Sequence, residues 1–143
     1  MRMVRSFMPV VIALAAIGCG DLAPESAALP PEISAFLGGD GATFSVEQRQ
    51  DGAIDLPPTA AMVKARELHD VVGFQGIPAA PIYGRLACSP VGCPAWIGGP
   101  QPVRAWLVWF PTDLAFVFID ARTGQILRAA VTIRGTGEWS VVL

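Results

Sequence analysis

Two cysteines, Cys88 and Cys93, are the residues whose type and spacing most directly suggest chemistry. Four residues separate them, and Pro90 and Gly92 among these allow the chain to turn back so that the two sulfurs can meet. A disulfide, a soft-metal site and a redox pair are the three options. Two thiolates are too few for a closed zinc site, and the spacing is not the C-x-x-C of redox motifs. We expect a disulfide, which in so small a loop would add about 2 kcal/mol.

The third cysteine, Cys19, follows a segment typical of export. Residues 1–5 include two arginines, residues 7–17 are apolar, and Ile17-Gly18 directly precede Cys19. This order resembles a bacterial lipoprotein signal, in which a peptidase cuts before the cysteine and the cysteine is acylated. The resemblance implies a signal peptide at residues 1–18 and lipid on Cys19. An ordinary signal peptide or an N-terminal membrane anchor is the alternative.

The same resemblance predicts where the protein resides and in what chemical surroundings. A lipidated Cys19 would anchor the chain to a membrane of the bacterial cell envelope. In a diderm the outer membrane is favoured, because glycine rather than aspartate follows the cysteine. Export to an oxidising compartment also favours the disulfide between Cys88 and Cys93.

Charge argues against a nucleic-acid partner. The 143-residue chain has a formal net charge of −2, and removal of residues 1–18 would take away Arg2 and Arg5 and bring it to −4. The sequence has no arginine run and no aromatic residues interleaved with lysines. We therefore expect no binding to nucleic acid.

The sequence offers little basis for catalysis. His69 is the only histidine, and we expect it to be solvated or locally hydrogen-bonded. Asp120 has a structural explanation as a turn former, and Asp113 is expected on a loop as a solvated residue. No glycine-rich phosphate loop and no nucleophile with a nearby base is apparent. The prediction is that the protein is not an enzyme and uses no cofactor and no metal.

The elements that must position these residues are organised around residues 103–134. Val103–Phe110 and Leu114–Ile119 are short, rich in β-branched and aromatic residues, and bounded by turn formers, which predicts antiparallel strands. A third strand follows Asp120–Gly124, which we expect to form a type I turn with a glycine bulge, since aspartate opens it and glycine closes it.

Other patterns predict the elements that precede these three strands, which we call the meander. Ala60–Val72 has apolar residues at helical spacing, and Ile82–Cys88 alternates as a strand with one packed face does. Residues 19–56 are expected to be mainly a tether, with one helical turn at Glu32–Leu37. Phe44 and Val46 indicate either an extra edge strand or an extended linker.

Both faces of the predicted meander are apolar, which raises the question of what covers them. Val103–Phe110 alternates four largely apolar residues on one face with Arg104, Trp106, Val108 and Phe110 on the other. A helix of about thirteen residues, near 20 Å long, can cover only one face. The second face could be covered by residues 33–54, by the loop that carries Trp96, by a second copy or by a partner. Trp96 is accordingly expected to be a lid over the sheet or a recognition residue.

The order of these parts resembles the C-terminal half of a PepSY domain. In that family a tryptophan-bearing strand, here with Trp106, precedes a strand ending in an Asp-Ala-x-Thr-Gly turn, here Asp120–Gly124, followed by Gln125-Ile126-Leu127. The resemblance covers about residues 58–133 and implies an α+β fold with one helix packed on an antiparallel β-meander, a PepSY/cystatin-like architecture, over residues 57–143.

The resemblance also implies a function. PepSY domains occur in secreted peptidase propeptides and envelope proteins, where binding or inhibiting a protease is the usual proposal. We therefore expect a non-catalytic protein-binding module that modulates a secreted or envelope peptidase, with a structural lipoprotein, a small enzyme or a metal-binding protein as alternatives. The residues expected to contact a partner are Trp96, Trp106, Val108 and Phe110.

Overall fold

The strands of the protein follow one another across a single antiparallel sheet. The computed structural model describes residues 29–49, 54–73, 76–90, 92–133 and 136–143. In that part of the chain, six strands pair in the order in which they occur in the sequence. They are β1 (Ala42–Val46), β2 (Ile82–Cys88), β3 (Val103–Phe110), β4 (Ala115–Asp120), β5 (Ile126–Thr132) and β6 (Trp139–Val141).

Two α-helices of the described chain lie on opposite faces of this sheet. They are α1 (Pro31–Asp40), which precedes β1, and α2 (Pro58–Val72), which connects β1 to β2. A short 3-10 helix, Ala95–Ile97, lies between β2 and β3. The α+β class is confirmed, but the predicted single helix is wrong because a second helix, α1, covers the other face. Neither helix is long and apolar enough to cross a bilayer.

The side chains of β3 and β4 divide as their alternation predicts. Trp106, Val108 and Phe110 belong to the core on the α2 face, together with the odd-numbered residues of β4. Leu107 and Trp109 belong to the core on the α1 face, together with Phe116 and Phe118. Because every residue of β3 from Ala105 to Phe110 is buried, the sheet has no solvated face at its centre.

Small residues bring α2 close to the sheet. Ala61 and Ala65 are fully buried and Leu68 is nearly so, in a helical stripe that packs on β3 and β4. The predicted helix is confirmed, and it begins two residues earlier than expected, at Pro58. Proline suits the first turn of a helix because its missing N–H would have no partner there.

The opposite face is covered from within the chain, by α1 and the Trp96 loop. Ile33 and Leu37, one helical turn apart, are buried against Phe44, Leu107 and the phenylalanines of β4, and Ile97 completes the cluster. Of the four covers considered, the segment that begins at residue 33, through α1, and the Trp96 loop are the ones observed. The packed unit therefore extends back to Pro31, into the segment expected to be mainly a tether.

Helix α1 continues past the point where the sequence predicts its end. The sequence predicts a single turn that ends at Leu37, yet α1 runs to Asp40 and ends at Gly41, which has φ of +82° and whose N–H bonds to the Leu37 carbonyl. Glycines weaken an isolated helix, so the burial of Ile33 and Leu37 is what holds α1 in place.

The turn between β4 and β5 contains the predicted glycine bulge. Asp120 Oδ1 accepts hydrogen bonds from the backbone N–H groups of Arg122 and Thr123, at 2.8 and 3.1 Å. The Gly124 N–H bonds to the Asp120 carbonyl, while the Asp120 N–H bonds to Gln125. Gly124 and Gln125 therefore lie opposite the single residue Asp120. With Gly124 at φ +78°, this is the pattern of a glycine bulge.

Three local features differ from expectation. Leu114, predicted as the first residue of β4, lies in the turn with φ of +49°. Asp113 is not simply solvated, because its Oδ2 accepts a 2.7 Å hydrogen bond from the Gly76 N–H. The third is β6, which pairs with β5 and was not predicted; three residues are too few for alternation to stand out.

The edge strand β1 packs closely against Gly84 of β2. A Cβ atom at this position would lie 2.4 Å from the Ser45 carbonyl oxygen and 2.6 Å from the Phe44 ring. Glycine therefore permits the contact that seats Phe44 in the core of the α1 face. The alternation of Phe44 and Val46 is confirmed as an edge strand rather than a linker.

Candidate functional site

The cysteine pair is placed as predicted. Cys88 ends β2, and the Cys93 sulfur lies 1.99 Å from that of Cys88. Ser89 and Gly92 form a β-bridge inside this loop. The Ser89 N–H also bonds to the Gly41 carbonyl, which joins the cysteine loop to the end of α1.

Trp96 serves as a lid. Its ring stacks on Phe118, with 6.0 Å between centroids, and its indole N–H donates to the carboxylate of Asp40 at the end of α1. The guanidinium of Arg128 lies 5.2 Å from the Trp96 ring centroid. Trp96 is half-buried and engaged on three sides, so it connects the loop to both α1 and β5.

The other residues expected to contact a partner are in the core. Trp106 is 4% exposed, and Val108 and Phe110 are fully buried, beneath α2. The reason is that this apolar face of β3 is the one that receives α2. A partner cannot reach these side chains in this conformation. Cys19 and the side chain of His69 lie outside the described part of the structure.

The part of the α2 face that the helix does not cover is polar. Helix α2 packs on β3 and β4, and beside it Thr43, Ser45 and Arg85 are exposed on β1 and β2. Two adjoining depressions lie here, of about 540 and 380 Å³. Arg85 and Arg104 line both depressions, and Arg122 lines the larger; we call this region the arginine cleft.

The two central arginines stand directly opposite each other, Arg85 on β2 and Arg104 on β3. Like charges in this relation are unfavourable, and each is balanced by its own carboxylate. Arg85 Nε lies 3.2 Å from Glu47 Oε2, and Arg104 Nε lies 3.1 Å from Asp55 Oδ2. A carboxylate at Nε can also reach only one of the two terminal amino groups, and among the described residues no further carboxylate pairs with either guanidinium.

Asp55 is the buried member of this arrangement, at 3% exposure. Its Oδ2 receives both the Tyr83 hydroxyl and Arg104, whereas its Oδ1 has no hydrogen-bond donor among the described residues. Arg49 donates to the backbone carbonyl of Asp55 at 2.5 Å. The buried carboxylate of Asp55 thus fixes the guanidinium of Arg104 through one oxygen, Oδ2.

Tyr83 is held in its neutral form. Burial, followed by the hydrogen bond to Asp55 and the negative charge of that carboxylate, raises the pKa of Tyr83 from 10.0 to about 12. The ring also packs edge-on against Trp106, at 5.1 Å between centroids. Tyr83 therefore acts at neutral pH as a hydrogen-bond donor.

The segment that carries Asp55 is tied to the sheet by its neighbour. The Leu56 N–H donates to the Ala121 carbonyl at 2.7 Å, and the Leu56 carbonyl accepts the indole N–H of Trp106 at 2.9 Å. These bonds explain how a short stretch before α2 places a carboxylate over the sheet. Buried Trp106 therefore helps to hold in place the segment that carries Asp55.

The third arginine is placed by the bulged turn. The Ala121 N–H donates to the Arg104 carbonyl at 2.9 Å, which sets the Asp120–Gly124 turn beside the end of β3. Arg122 is exposed at the tip of this turn and lines the larger depression with Pro102 and Val103. Among the described residues its side chain makes no ion pair. The wall of the cleft opposite Asp55 is therefore basic and partly apolar.

The described residues contain no group of three or more histidine, cysteine, aspartate or glutamate side chains placed to hold a metal ion. Comparison of the chain with models of protein families, with curated proteins and with solved structures found no match.

The sequence carried a signal for the arginine cleft that we did not use. Arg85 and Arg104 are the charged residues of two otherwise apolar strands, and both fall on the face that also carries Tyr83 or Trp106. Two such arginines in neighbouring strands indicate a local surface. Asp55, in a segment with no periodicity, gave no corresponding signal.

Proposed function

We propose that this protein is a non-catalytic binding module anchored by lipid to the bacterial cell envelope, and that it contacts a protein partner through the arginine cleft. The observation that carries the proposal is the pair Arg85 and Arg104, set side by side and each held at Nε by a carboxylate. Arginines fixed in this way lose little side-chain freedom when they bind.

Binding accounts for the cleft better than catalysis does. A general acid or base works best with a pKa near the operating pH, whereas the pKa of Tyr83 is raised to about 12. Asp55 is occupied by Tyr83 and Arg104, and Glu47 by Arg85. Glu47, Asp55, Tyr83, Arg85 and Arg104 thus hold one another in place, which suits recognition.

The anchor rests on the export segment and Cys19. The resemblance to PepSY domains makes a secreted or envelope peptidase the first kind of partner to test. The exposed apolar side chain of Ile54 at the rim of the cleft, with Pro102 and Val103 in its wall, suits a protein surface, because protein interfaces combine arginine with apolar contact.

Site-specific photo-crosslinking in the producing bacterium tests the proposal. A photoreactive phenylalanine replaces Gln48, which is exposed at the cleft, and in a matched strain replaces Glu67, which is exposed on α2. We expect a crosslinked protein from position 48 that is absent from position 67 and is lost when Arg85→Glu is added. Adducts that are the same at both positions, or that survive Arg85→Glu, would overturn the proposal and favour a structural lipoprotein.

A further inference from the structure

We infer that the arginine cleft recognises a single carboxylate group of a peptide, held between the guanidinium groups of Arg85 and Arg104. This inference rests on the proposed function and names the chemistry of the partner's contact. It follows from the geometry of the arginine pair, the charge of the cleft and the apolar residues at its rim.

The geometry suits a carboxylate. Residues directly opposite on antiparallel strands have Cβ atoms about 4.5–5.5 Å apart, so the two guanidinium groups begin from adjacent positions and line the same two depressions. Glu47 and Asp55 contact each of them at Nε, which leaves terminal amino donors for a ligand. A carboxylate has two oxygens in one plane and accepts paired N–H donors from a guanidinium. Bound there, it would also relieve the repulsion between the two arginines.

The charge of the cleft selects a ligand with few charges. The described lining residues include three arginines, Arg85, Arg104 and Arg122, and three acids, Glu47, Asp55 and Asp120. These charges balance, so the cleft has no strong positive field of the kind that attracts nucleic acid or an anionic membrane surface. Recognition must come from directed hydrogen bonds, which one carboxylate can satisfy.

The rim of the cleft indicates that the carboxylate belongs to a peptide. Ile54 is 76% exposed beside Asp55, and Pro102 and Val103 line the opposite depression. Apolar side chains on both sides of the arginine pair can contact the residues that precede a chain terminus or flank an acidic side chain. A free inorganic anion would make no use of them.

The test uses the full-length purified protein labelled with ¹⁵N-arginine, so that NMR follows the Nε–H signals of Arg85 and Arg104. The probes are N-acetyl-trialanine with a free C-terminal carboxylate, the same peptide as its amide, an amidated peptide with a central glutamate, and inorganic phosphate. We expect a peptide that carries a carboxylate, at its terminus or on glutamate, to shift both signals, and the carboxylate-free amide to leave them unchanged. The two carboxylate arms distinguish a chain terminus from an acidic side chain as the source.

Variants make the test specific. Arg104→Gln and Arg104→Lys should each weaken binding of the carboxylate peptide about tenfold or more, because lysine lacks the planar fork. Arg66→Gln, an equal charge change at an exposed position on α2, should leave binding unchanged. The indole N–H signal of Trp106, which is bonded to Leu56, shows whether the cleft is intact in each variant.

Three results would overturn the inference. The first is an equal shift of the arginine Nε–H signals with the free and the amidated trialanine peptides. The second is a loss of binding in Arg66→Gln as large as that in the Arg104 variants. The third is a shift with phosphate but with neither carboxylate peptide. If the peptide fails while crosslinking from position 48 still depends on Arg85, the proposed function stands and only the carboxylate is wrong. If both fail, the cleft is not the binding surface.

Discussion

Arg85 and Arg104 face each other across β2 and β3, and each is paired on its outer side with a different carboxylate. The arrangement gathers two like charges at one place in a chain whose net charge is negative. The two arginines thus repel each other, and we expect the paired carboxylates to affect the stability of the protein.

The Glu47 and Arg85 substitutions should differ in their effects on stability. Glu47→Gln removes one counter-charge and leaves the arginines less balanced, whereas Arg85→Gln removes the repulsion itself. Since the side chains of Arg85 and Glu47 are 47% and 34% exposed, solvent screens the pair and each effect should stay below about 1 kcal/mol. Urea unfolding at low salt should show a slightly lower free energy of unfolding for Glu47→Gln and no decrease for Arg85→Gln. Destabilisation by Arg85→Gln alone would contradict this account.

The Tyr83 hydroxyl should make stability fall at alkaline pH. The pKa of Tyr83 is raised from 10.0 to about 12 in the folded protein, so between these values the unfolded chain loses the phenolic proton and the folded protein keeps it. The contribution of Tyr83 is complete below pH 10 and is lost as pH rises through about 12, a fall of about 3 kcal/mol in the free energy of unfolding. Tyr83→Phe should cost about 1–3 kcal/mol at pH 7, because Asp55 loses a donor, and should flatten this fall. Unfolding curves at several pH values measure the cost at pH 7 and the alkaline fall. If the stability of Tyr83→Phe falls between pH 10 and 12 as steeply as that of the unaltered protein, Tyr83 is not the group responsible.

The cover on the α1 face should be essential for stability. Leu37 is 2% exposed and packs on the sheet from α1, so Leu37→Ala should reduce the free energy of unfolding by about 2–5 kcal/mol. Val63→Ala is the matched control, because Val63 is 56% exposed on α2. Thermal unfolding should separate the two variants clearly. Equal melting temperatures would mean that α1 is only a tether.

The Cys88 and Cys93 thiols should be oxidised in the folded protein. Alkylation under denaturing, non-reducing conditions, followed by peptide mass spectrometry, should find both cysteines unlabelled, and labelling should follow reduction. The double change Cys88→Ser and Cys93→Ser should cost only about 2 kcal/mol, because the closed loop is short. Two thiols that label without reductant would exclude the disulfide.

Cys19 should carry a thioether-linked diacylglycerol. Each buried methylene adds about 0.8 kcal/mol of membrane affinity, so the lipid would hold the protein on a bilayer. Mass spectrometry of the protein from membranes should show a chain that begins at modified Cys19, and Cys19→Ala should abolish the modification. An intact Met1 together with an unmodified cysteine would rule out the anchor.

The amino-acid sequence alone determined the elements whose signals are local. The alternation and β-branched residues of Val103–Phe110, the aspartate and glycine of the Asp120–Gly124 turn and the periodicity of α2 each express a preference of the nearby backbone. The structure confirms these elements within a residue or two. It also confirms that both faces of the sheet need cover, since that follows from counting apolar side chains on each face.

Only the tertiary structure decided which segments meet. Helix α1 has two internal glycines and is held by the sheet that it covers, so no local pattern predicts its full length. Arg85 and Arg104 become neighbours through strand register across eighteen intervening residues. Asp55 becomes a buried anchor because Leu56 is hydrogen-bonded to Ala121 and Trp106. Contacts of this kind depend on packing between distant segments, and the residue types at each position do not specify them.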